Sequence, residues 1–424
     1  MGKLISVIFG ATILFACREE SVTPAESKTQ LDSIFMIASN FYFWNNYIPP
    51  ANDFDFQTNN TPELVLSSFR AYSPDSVDKW SFAVKQSVWQ KTISGISGDF
   101  GLGMRFLEPN DLRIAYVQPN SPAGIANLKR GYKVLKINGI YVKAENLQQL
   151  NQEFQLSSSL NLELIKNDSS ILDITLQRSE YSVDPILHHE VFKNAVKTVA
   201  YLHLFTFSQE AAGRFPDIFN SFRTEGAEYL IVDLRYNGGG LLPVMEQLAN
   251  HMVCPSAYNN IMYQVEYNDI YESSGAKYFF HEVSNSNCFK RIYFITAYKT
   301  ASSSEVLISS LLPYSDVKVV GTPTHGKLMG MNTIPYADYT LVPVAFKILN
   351  RDGFHDDFKG IKPDIPMIDG VDSDWGTDEA CIWEAIKDIS GTQSENGRLA
   401  NERYFQSQGN LIEDVQTWNG AFLR

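Results

Sequence analysis

A buried strand that runs into a glycine-rich turn and then into a helix constrains the fold of this chain more than any other feature. Residues 229–234 read Tyr-Leu-Ile-Val-Asp-Leu, residues 237–240 read Asn-Gly-Gly-Gly, and an apolar helix begins near Leu242. Strands that alternate with helices in this way predict a layered α/β domain. The pattern extends from about residue 180 to the end of the chain, with further strands predicted at 199–204, 291–296 and 317–321 and helices at 208–226 and 303–312.

The composition excludes several classes of protein. The 424 residues are 44% hydrophobic and 13% aromatic, which is too apolar for a disordered chain. The chain has 35 basic and 48 acidic side chains, and this net charge of −13 argues against a nucleic-acid partner, because phosphate contacts need a surplus of Lys and Arg. The four cysteines lack zinc-site spacing. Cys254, Cys288 and Cys381 leave room for one disulfide, without indicating which pair forms it.

The amino terminus has the pattern of an export signal. Residues 4–16 are mostly apolar, and at about 1.5 Å per residue they are too short for a hydrocarbon core of about 30 Å. Residues 14–17, Leu-Phe-Ala-Cys, resemble the bacterial lipobox, in which the cysteine is lipidated and becomes the first residue of the mature chain. We therefore predict a lipoprotein signal peptide at 1–16, a lipid anchor on Cys17 and a polar tether over 17–28. These features place the protein in a bacterial cell envelope, on the periplasmic side or the outer-membrane surface. The alternative is an ordinary secretory signal in which Cys17 is incidental.

Residues 29–90 are predicted to form a small helical domain. Apolar residues recur at helical spacing from Leu31, and Pro49-Pro50 closes this segment. Thr61 and Pro62 have the residue types of a helix cap and a first helical position, so a second helix is expected there. The aromatic residues 41–44 are expected in a packed core rather than on a binding surface.

Residues 91–179 have a different pattern, with short strands of alternating apolar and polar residues that are separated by glycines. Strands are predicted at 101–106, 112–117, 134–139 and 160–165, with Ser-Pro-Ala-Gly at 121–124. This segment resembles a PDZ domain of bacterial proteases, in which a glycine loop and a strand edge receive the carboxyl terminus of a peptide. The loop is Gly101-Leu102-Gly103. Its backbone N–H groups would face the peptide carboxylate, and the strand edge would add the peptide as another strand.

Three turns that follow strands of the α/β domain are the candidates for a shared site. They are 237–240, Thr-Ala-Ser-Ser-Ser-Glu at 300–305 and Thr-Pro-Thr-His-Gly-Lys at 322–327. Turns of this kind gather at one edge of the sheet in layered α/β folds. The first turn lacks the spacing of a dinucleotide or phosphate loop, so no cofactor is predicted. Its N–H groups suit an oxyanion, and a tight turn without a ligand is the alternative.

Ser302 and Lys327 are the candidate reactive pair. Ser302 and Glu305 fit a capping box, which would explain this serine without any chemistry. Lys327 follows after one helix and one returning strand, which would bring it back to the same sheet edge. A lysine acts as a base only when burial lowers its pKa from about 10.4 by several units.

Together these motifs resemble the carboxyl-terminal processing peptidases, or tail-specific proteases, of the S41 serine peptidase class. The resemblance implies an α/β fold with a ClpP/crotonase-like protease core over 180–424, beside the PDZ domain and the small helical domain. It implies a serine endopeptidase acting on polypeptides held by their C-terminal tails. It assigns Ser302 as nucleophile and Lys327 as general base. The oxyanion hole would be formed by the N–H of Gly239, with Gly238 as second choice, and by the N–H of Ser303.

The resemblance is incomplete at the third catalytic residue. Some members have an Asp eleven residues after the serine or a Gln four residues after the lysine, and Pro313 and Met331 occupy these positions here. We therefore expect a Ser-Lys dyad, with Asn332 as a possible supporting residue. A triad that uses His325 is the rival assignment.

Other functions remain open at this point. A relative without effective catalysis could use the same scaffold to bind peptides, and the wider crotonase-like architecture includes hydrolases of small esters and amides. Residues 188–190, His-His-Glu, could suggest a metal site. Adjacent side chains of a strand point to opposite faces, so no metal is predicted.

Overall fold

The computed structural model describes residues 24–193, 197–391 and 415–416. The predicted signal peptide, Cys17 and the first part of the tether lie outside the described residues. Among the helices that are described, none is long and apolar enough to cross a membrane.

The first described segment is mainly helical, as the sequence predicts. Thr61 caps its second helix, since the Thr61 Oγ1 accepts a hydrogen bond from the N–H of Leu64 at 3.3 Å. The first helix begins at Pro24, so the end of the expected 17–28 tether is helical. The elements of this segment are α1 (Pro24–Phe41), α2 (Pro62–Phe69), β1 (Phe82–Lys85) and α3 (Gln86–Ile93).

This helical segment does not enclose a core of its own. Its buried Phe35 and Phe69 belong to a cluster that also contains Leu341 and Val344 from the far end of the chain. Strand β1 pairs antiparallel with a later strand, Tyr339–Val342. A segment of this size buries too little apolar surface to be stable alone, so the later strands complete its core. The segment is therefore part of the main body and not the separate 29–90 domain that we expected.

Residues 96–182 form a domain of short antiparallel strands. Its first and last strands pair with each other, so the chain enters and leaves the domain at one place. The predicted boundary between residues 90 and 91 falls inside α3, a few residues too early. The elements of this β-rich domain are β2 (Ile96–Ser97), β3 (Leu102–Glu108), β4 (Asp111–Val117), α4 (Pro122–Ile125), β5 (Lys133–Ile137), β6 (Ile140–Tyr141), α5 (Leu147–Leu156), β7 (Ser159–Ile165), β8 (Ile171–Gln177) and β9 (Tyr181–Ser182).

The sheet of the β-rich domain has the strand order β3-β4-β5-β7-β8, with β6 paired to β5. The four strands expected from the sequence are present, whereas α5 and β8 were not predicted. Helix α5 packs Leu150 and Phe154 into the core of the domain, against Phe100 and Met104. The outer edge of β3 carries one further strand from the end of the chain, Val415–Gln416.

The remainder of the chain folds as the predicted layered α/β domain. Its main sheet has six strands in the order β10-β11-β12-β15-β16-β21, and these strands are parallel except for β10. The elements are β10 (Ile186–Lys193), β11 (Thr198–Leu204), α6 (Gln209–Thr224), β12 (Tyr229–Asp233), α7 (Leu242–Met252), β13 (Ile261–Tyr267), β14 (Ala276–Phe279), β15 (Arg291–Thr296), α8 (Ser303–Leu311), β16 (Val317–Gly321), β17 (Met329–Met331), β18 (Ile334–Tyr336), β19 (Tyr339–Val342), β20 (Val344–Asn350), β21 (Ile365–Pro366) and α9 (Ala380–Ile389). The strand that pairs with β3 of the β-rich domain is β22 (Val415–Gln416).

The main sheet is covered on both faces, which explains its continuous apolar strands. In β12, Leu230 and Val232 face the cluster formed with α6, α7 and α8, and Ile231 faces the cluster formed with α9. A second sheet, β14-β13-β20-β17, packs beyond α8. Cys254 and Cys288 form a disulfide with their Cα atoms 4.5 Å apart, and Cys381 is buried with a free thiol.

A buried charge network joins the β-rich domain to the α/β domain. Arg130 of the β-rich domain donates to Asp369 Oδ1 at 2.6 Å and to the Tyr236 hydroxyl at 2.9 Å. Arg235 donates to the same oxygen of Asp369 at 2.7 Å, to Glu379 Oε1 at 2.6 Å and to both oxygens of Asp233. Burial raises the pKa of Asp369, but the two arginines outweigh it and hold that pKa well below the usual range.

We expect Arg130→Gln to weaken the junction between the domains. The substitution removes one of the two buried arginines that pair with Asp369 and the cationic donor to the Tyr236 hydroxyl, and breaking such a buried pair costs about 3 kcal/mol of unfolding free energy. The guanidinium of Arg130 also lies 4.2 Å from the centre of the Trp375 ring, so urea unfolding followed by tryptophan fluorescence reports on this site. Arg113→Gln is the control, because its partly exposed pair with Asp111 lies within one domain and is worth below about 1 kcal/mol. Equal losses for the two variants would contradict the prediction.

Candidate active site

The three turns singled out in the sequence meet at one edge of the main sheet. The carbonyl oxygen of Asn237, in the first turn, accepts hydrogen bonds from the N–H of Ala301 and the hydroxyl of Ser304, each at 3.1 Å. The carbonyl oxygen of Thr300, in the second turn, accepts from the N–H of His325 in the third, at 2.9 Å. Backbone hydrogen bonds therefore hold the three turns together as one cluster.

Ser302 occupies a strained position at the start of α8. Its backbone has φ 56° and ψ −121°, a region that non-glycine residues rarely adopt. Ser302 is partly exposed, whereas the α8 residues behind it are all buried. A serine held in this way at the edge of a closed core is accessible to a substrate and fixed in place.

Gly239 packs directly against Ser302. A Cβ atom on Gly239 would lie 2.8 Å from the Ser302 Cβ and 3.3 Å from its Oγ, and Gly239 has φ 108°. A larger residue here would push against the serine and would be strained in its own backbone. The glycine turn is therefore part of the serine's immediate surroundings.

Glu305 connects the candidate nucleophile to the candidate base. Its Oε2 accepts from the N–H of Ser302 at 2.9 Å, as the predicted capping box requires, and also from the N–H of Lys327 at 2.8 Å. Its Oε1 accepts from the N–H of Gly326 and the hydroxyl of Thr324, each at 2.6 Å. Ser302 and Lys327 are thus neighbours across a single carboxylate oxygen.

The charge of Glu305 depends on this hydrogen bonding. Burial and the nearby Asp356 raise the pKa of Glu305 to about 7, while the bonds from Thr324, Gly326 and Lys327 lower it. All four donors are satisfied only by the carboxylate form, because a protonated carboxyl group gives up part of its acceptor capacity.

Lys327 is placed where a lysine can act as a base. It is only 1% exposed, and burial lowers its pKa to about 8 against the opposing effects of Asp78 and Glu305. Its Nζ donates to Met331 Sδ at 3.2 Å and lies 5.9 Å from the centre of the Trp80 ring. Met331, which stands where some members of the resembled family have a glutamine, therefore offers the lysine a weak sulfur acceptor.

His325 is arranged differently from a catalytic base. Its Nε2 accepts a hydrogen bond from Trp80 Nε1 at 3.0 Å, and its Nδ1 has no partner within the part of the chain that the structure describes. Burial and the charge of Lys327 lower the pKa of His325 to about 4. No carboxylate of the described residues is hydrogen-bonded to this ring, so the geometry favours Lys327 over the rival triad.

The oxyanion donors predicted from the sequence lie around Ser302. The N–H of Gly239 donates to Asn237 Oδ1 at 2.8 Å, so it is engaged in this conformation. Among the described residues, the N–H groups of Gly238 and Ser303 have no acceptor. Gly238 and Ser303 are therefore ready to donate, and Gly239 becomes available if the Asn237 side chain turns away.

The predicted peptide-binding residues lie in the other domain. Gly101 precedes β3, and Leu102 and Gly103 are the first two residues of that strand. The N–H of Gly101 donates to Asp99 Oδ1 at 2.6 Å. They do not belong to the three-turn cluster, and strand β22 pairs with the edge that they begin.

A known protein family matches the part of the chain that contains the three-turn cluster. The model of peptidase family S41 matches residues 198–367, which include all three turns. This chain carries a peptidase family S41 domain. The prediction of a serine-type peptidase of this family is thereby confirmed, and the roles of individual residues stay predictions.

The similarity to individual proteins covers more of the chain than that domain. The carboxy-terminal processing protease CtpA of Bacillus subtilis is 26% identical over 368 residues, which cover 85% of this chain and 75% of CtpA. A Staphylococcus aureus protein named as a CtpA-like serine protease is 23% identical over 316 residues, which cover 74% of this chain and 62% of that protein.

Solved structures support the predicted fold. A Bacteroides fragilis protein assigned to the S41 proteases superposes with a TM-score of 0.69 at 22% identity, over 85% of this chain and 98% of that one. The photosystem II D1 C-terminal processing protease has a TM-score of 0.51 at 18% identity, over 82% and 94% of the two chains. The S41 protease fold expected from the sequence is confirmed.

Three residues of the cluster were missed or undervalued in the sequence. Glu305 was assigned only to a helix cap, although a glutamate buried beside two reactive turns has spare acceptor sites. Trp80 and Asp78 come from the helical segment, and no local pattern connects them with Lys327. Only the packing of that segment against the late strands brings them to the lysine.

We expect peptidase activity to rise with pH through the pKa of Lys327. The base must be neutral, so kcat/KM for an unstructured protein should increase with pH and level off above about 8. Protonation of Glu305 below about 7 should add to the loss on the acid side. A pH profile of β-casein cleavage tests this expectation, with Lys327→Arg as an inactive control because arginine stays charged. A profile that is flat through this range would contradict it.

Proposed function

We propose that this protein is a serine endopeptidase that cleaves polypeptides captured by their C-terminal tails. The observation that carries the proposal is the shared Glu305 oxygen, which accepts the backbone N–H groups of both Ser302 and Lys327. It holds the serine turn next to a buried lysine whose pKa is lowered to about 8. The naming of two relatives as a carboxy-terminal processing protease and a CtpA-like serine protease supports it.

In the proposed mechanism, neutral Lys327 accepts the proton of the Ser302 hydroxyl as Oγ attacks a peptide carbonyl carbon. The resulting oxyanion accepts hydrogen bonds from the N–H of Ser303 and from the glycine turn at Gly238 or Gly239. Lys327 then passes the proton to the leaving amine as the C–N bond breaks. Water, deprotonated by the same lysine, hydrolyses the acyl ester and restores Ser302.

The proposed tail capture takes place in the β-rich domain. Strand β3 starts at the Gly101–Gly103 loop, and Leu150 and Phe154 of α5 share a core with Met104 of β3, which suits a PDZ-type groove between them. A peptide added to this edge gains main-chain hydrogen bonds whatever its sequence. The groove would then supply substrates to the cluster around Ser302.

We expect Ser302→Ala and Lys327→Met to abolish cleavage of β-casein. Each removes one partner of the proposed dyad, and the loss should exceed about a thousandfold in kcat/KM, because the two groups act as a unit. Gel electrophoresis after incubation measures the loss, and circular dichroism checks that both variants fold. Glu246→Gln is the control, since Glu246 binds the Tyr263 hydroxyl on another part of the domain. Cleavage that survives in both variants would overturn the dyad, and a wild type that only binds peptides would favour a binding protein.

We further propose that Cys17 carries a lipid that anchors the protein in a bacterial cell envelope. The lipobox-like residues 14–17 and the apolar stretch before them support this location. Cys17→Ser should move the protein from the membrane fraction to the soluble fraction when cells are fractionated and blotted, because the thiol that bears the lipid is gone. Cys381→Ala is the matched cysteine control and should stay with the membranes. Membrane retention of Cys17→Ser at the wild-type level would contradict the anchor.

A further inference from the structure

The edge of β3 is occupied by the end of this same chain. Strand β22 pairs antiparallel with β3, with Val415 opposite Met104 and Gln416 opposite Gly103. Apart from β22, this side of β3 has no neighbouring strand among the described residues, because the order of the sheet is β22-β3-β4. The short strand therefore takes the main-chain hydrogen-bonding positions that an added peptide would use.

Strand β22 also lies on the correct side of the domain for a peptide. It contacts α5, so it sits between β3 and the helix that flanks the groove. The antiparallel direction means that the chain moves from Met104 toward Gly103, and hence toward the Gly101 loop, as it proceeds toward its end. A substrate whose carboxyl terminus approached that loop along β3 would run the same way.

The chain is long enough to reach its own groove. Helix α9 ends at Ile389, and the residues from there to Val415 could span up to about 80 Å if extended. A covalent tether holds a segment near its site at an effective concentration on the order of millimolar. A substrate tail must then compete with a tethered occupant.

We propose that the segment containing Val415 and Gln416 binds in cis to the groove of β3 and α5 and competes there with other polypeptides. This inference rests on the proposed function in taking the groove as the entry site for substrates. The occupancy itself rests only on the pairing of β22 with β3. The segment acts as a built-in competitor that raises the concentration of substrate needed for capture.

Two full-length variants separate this role from a general effect of the tail. Val415→Pro/Gln416→Pro removes both backbone N–H groups of the paired strand, and proline is poorly tolerated in such a ladder. Ala400→Pro/Asn401→Pro places the same substitutions elsewhere in the tail and serves as the matched control.

Hydrogen–deuterium exchange tests the occupancy directly. In the wild type and the control, peptides covering Leu102 to Phe106 should be protected where β22 covers the edge of β3, and this protection should fall in Val415→Pro/Gln416→Pro. Unchanged protection would overturn the proposal. Protection that falls when the wild type is diluted would also overturn it, because the occupant would then be the tail of a second copy.

Peptide binding tests the competition. The probe is a fluorescein-labelled synthetic peptide with the sequence of residues 411–424, followed by fluorescence anisotropy. Its Kd should be at least about tenfold lower for Val415→Pro/Gln416→Pro than for the wild type or the control. Equal Kd values in the three proteins would contradict competition.

These two measurements do not depend on catalysis. If β-casein is cleaved by none of the proteins, the proposed peptidase function fails while exchange and anisotropy still decide whether the tail occupies the groove. If β-casein is cleaved, Val415→Pro/Gln416→Pro should lower the KM for β-casein and leave kcat near the wild-type value.

Discussion

Much of this structure depends on the buried guanidinium of Arg235. It connects the end of β12 with the Asp369 loop and with Glu379, whose carboxylate also accepts the first N–H groups of α9. Two arginines and three carboxylates share this interior, and charges this deeply buried are tolerated only when each is paired. The network therefore fixes three distant parts of the chain in a single arrangement. It also anchors the strand end that leads directly into the glycine turn.

The second level of organisation is the Glu305 carboxylate. Arg235 pairs with Asp233 at the end of β12 and so positions the glycine turn that follows. Glu305 holds the serine turn and the lysine turn to each other. Neither group needs to touch a substrate. Each determines where backbone N–H groups and side chains stand, which is the condition for stabilising charge in a reaction without reorganisation.

Features set by neighbouring residues, such as strands, helix caps and turns, were predicted well from the sequence. Contacts between segments that are far apart in sequence were predicted poorly. The strands at 291–296 and 317–321, the Thr61 cap and the meeting of three turns follow from periodicity, caps and the geometry of parallel sheets. The helical segment, in contrast, was taken as a separate domain, because its apolar residues do not reveal that Leu341 and Val344 cover them. The environment of Lys327 was missed for the same reason. The contact between Trp80 and His325, two residues before Lys327, joins positions 245 residues apart and leaves no trace in the local sequence pattern.

This long separation in sequence determines when, during folding, Lys327 becomes a base. Trp80 and His325 are 245 residues apart and meet only when the first and last thirds of the folded body have packed together. Until then Lys327 is in water, where a lysine keeps its proton at neutral pH. An unfolded, newly synthesised chain thus has no competent base. The base forms only once these distant segments have packed around Lys327.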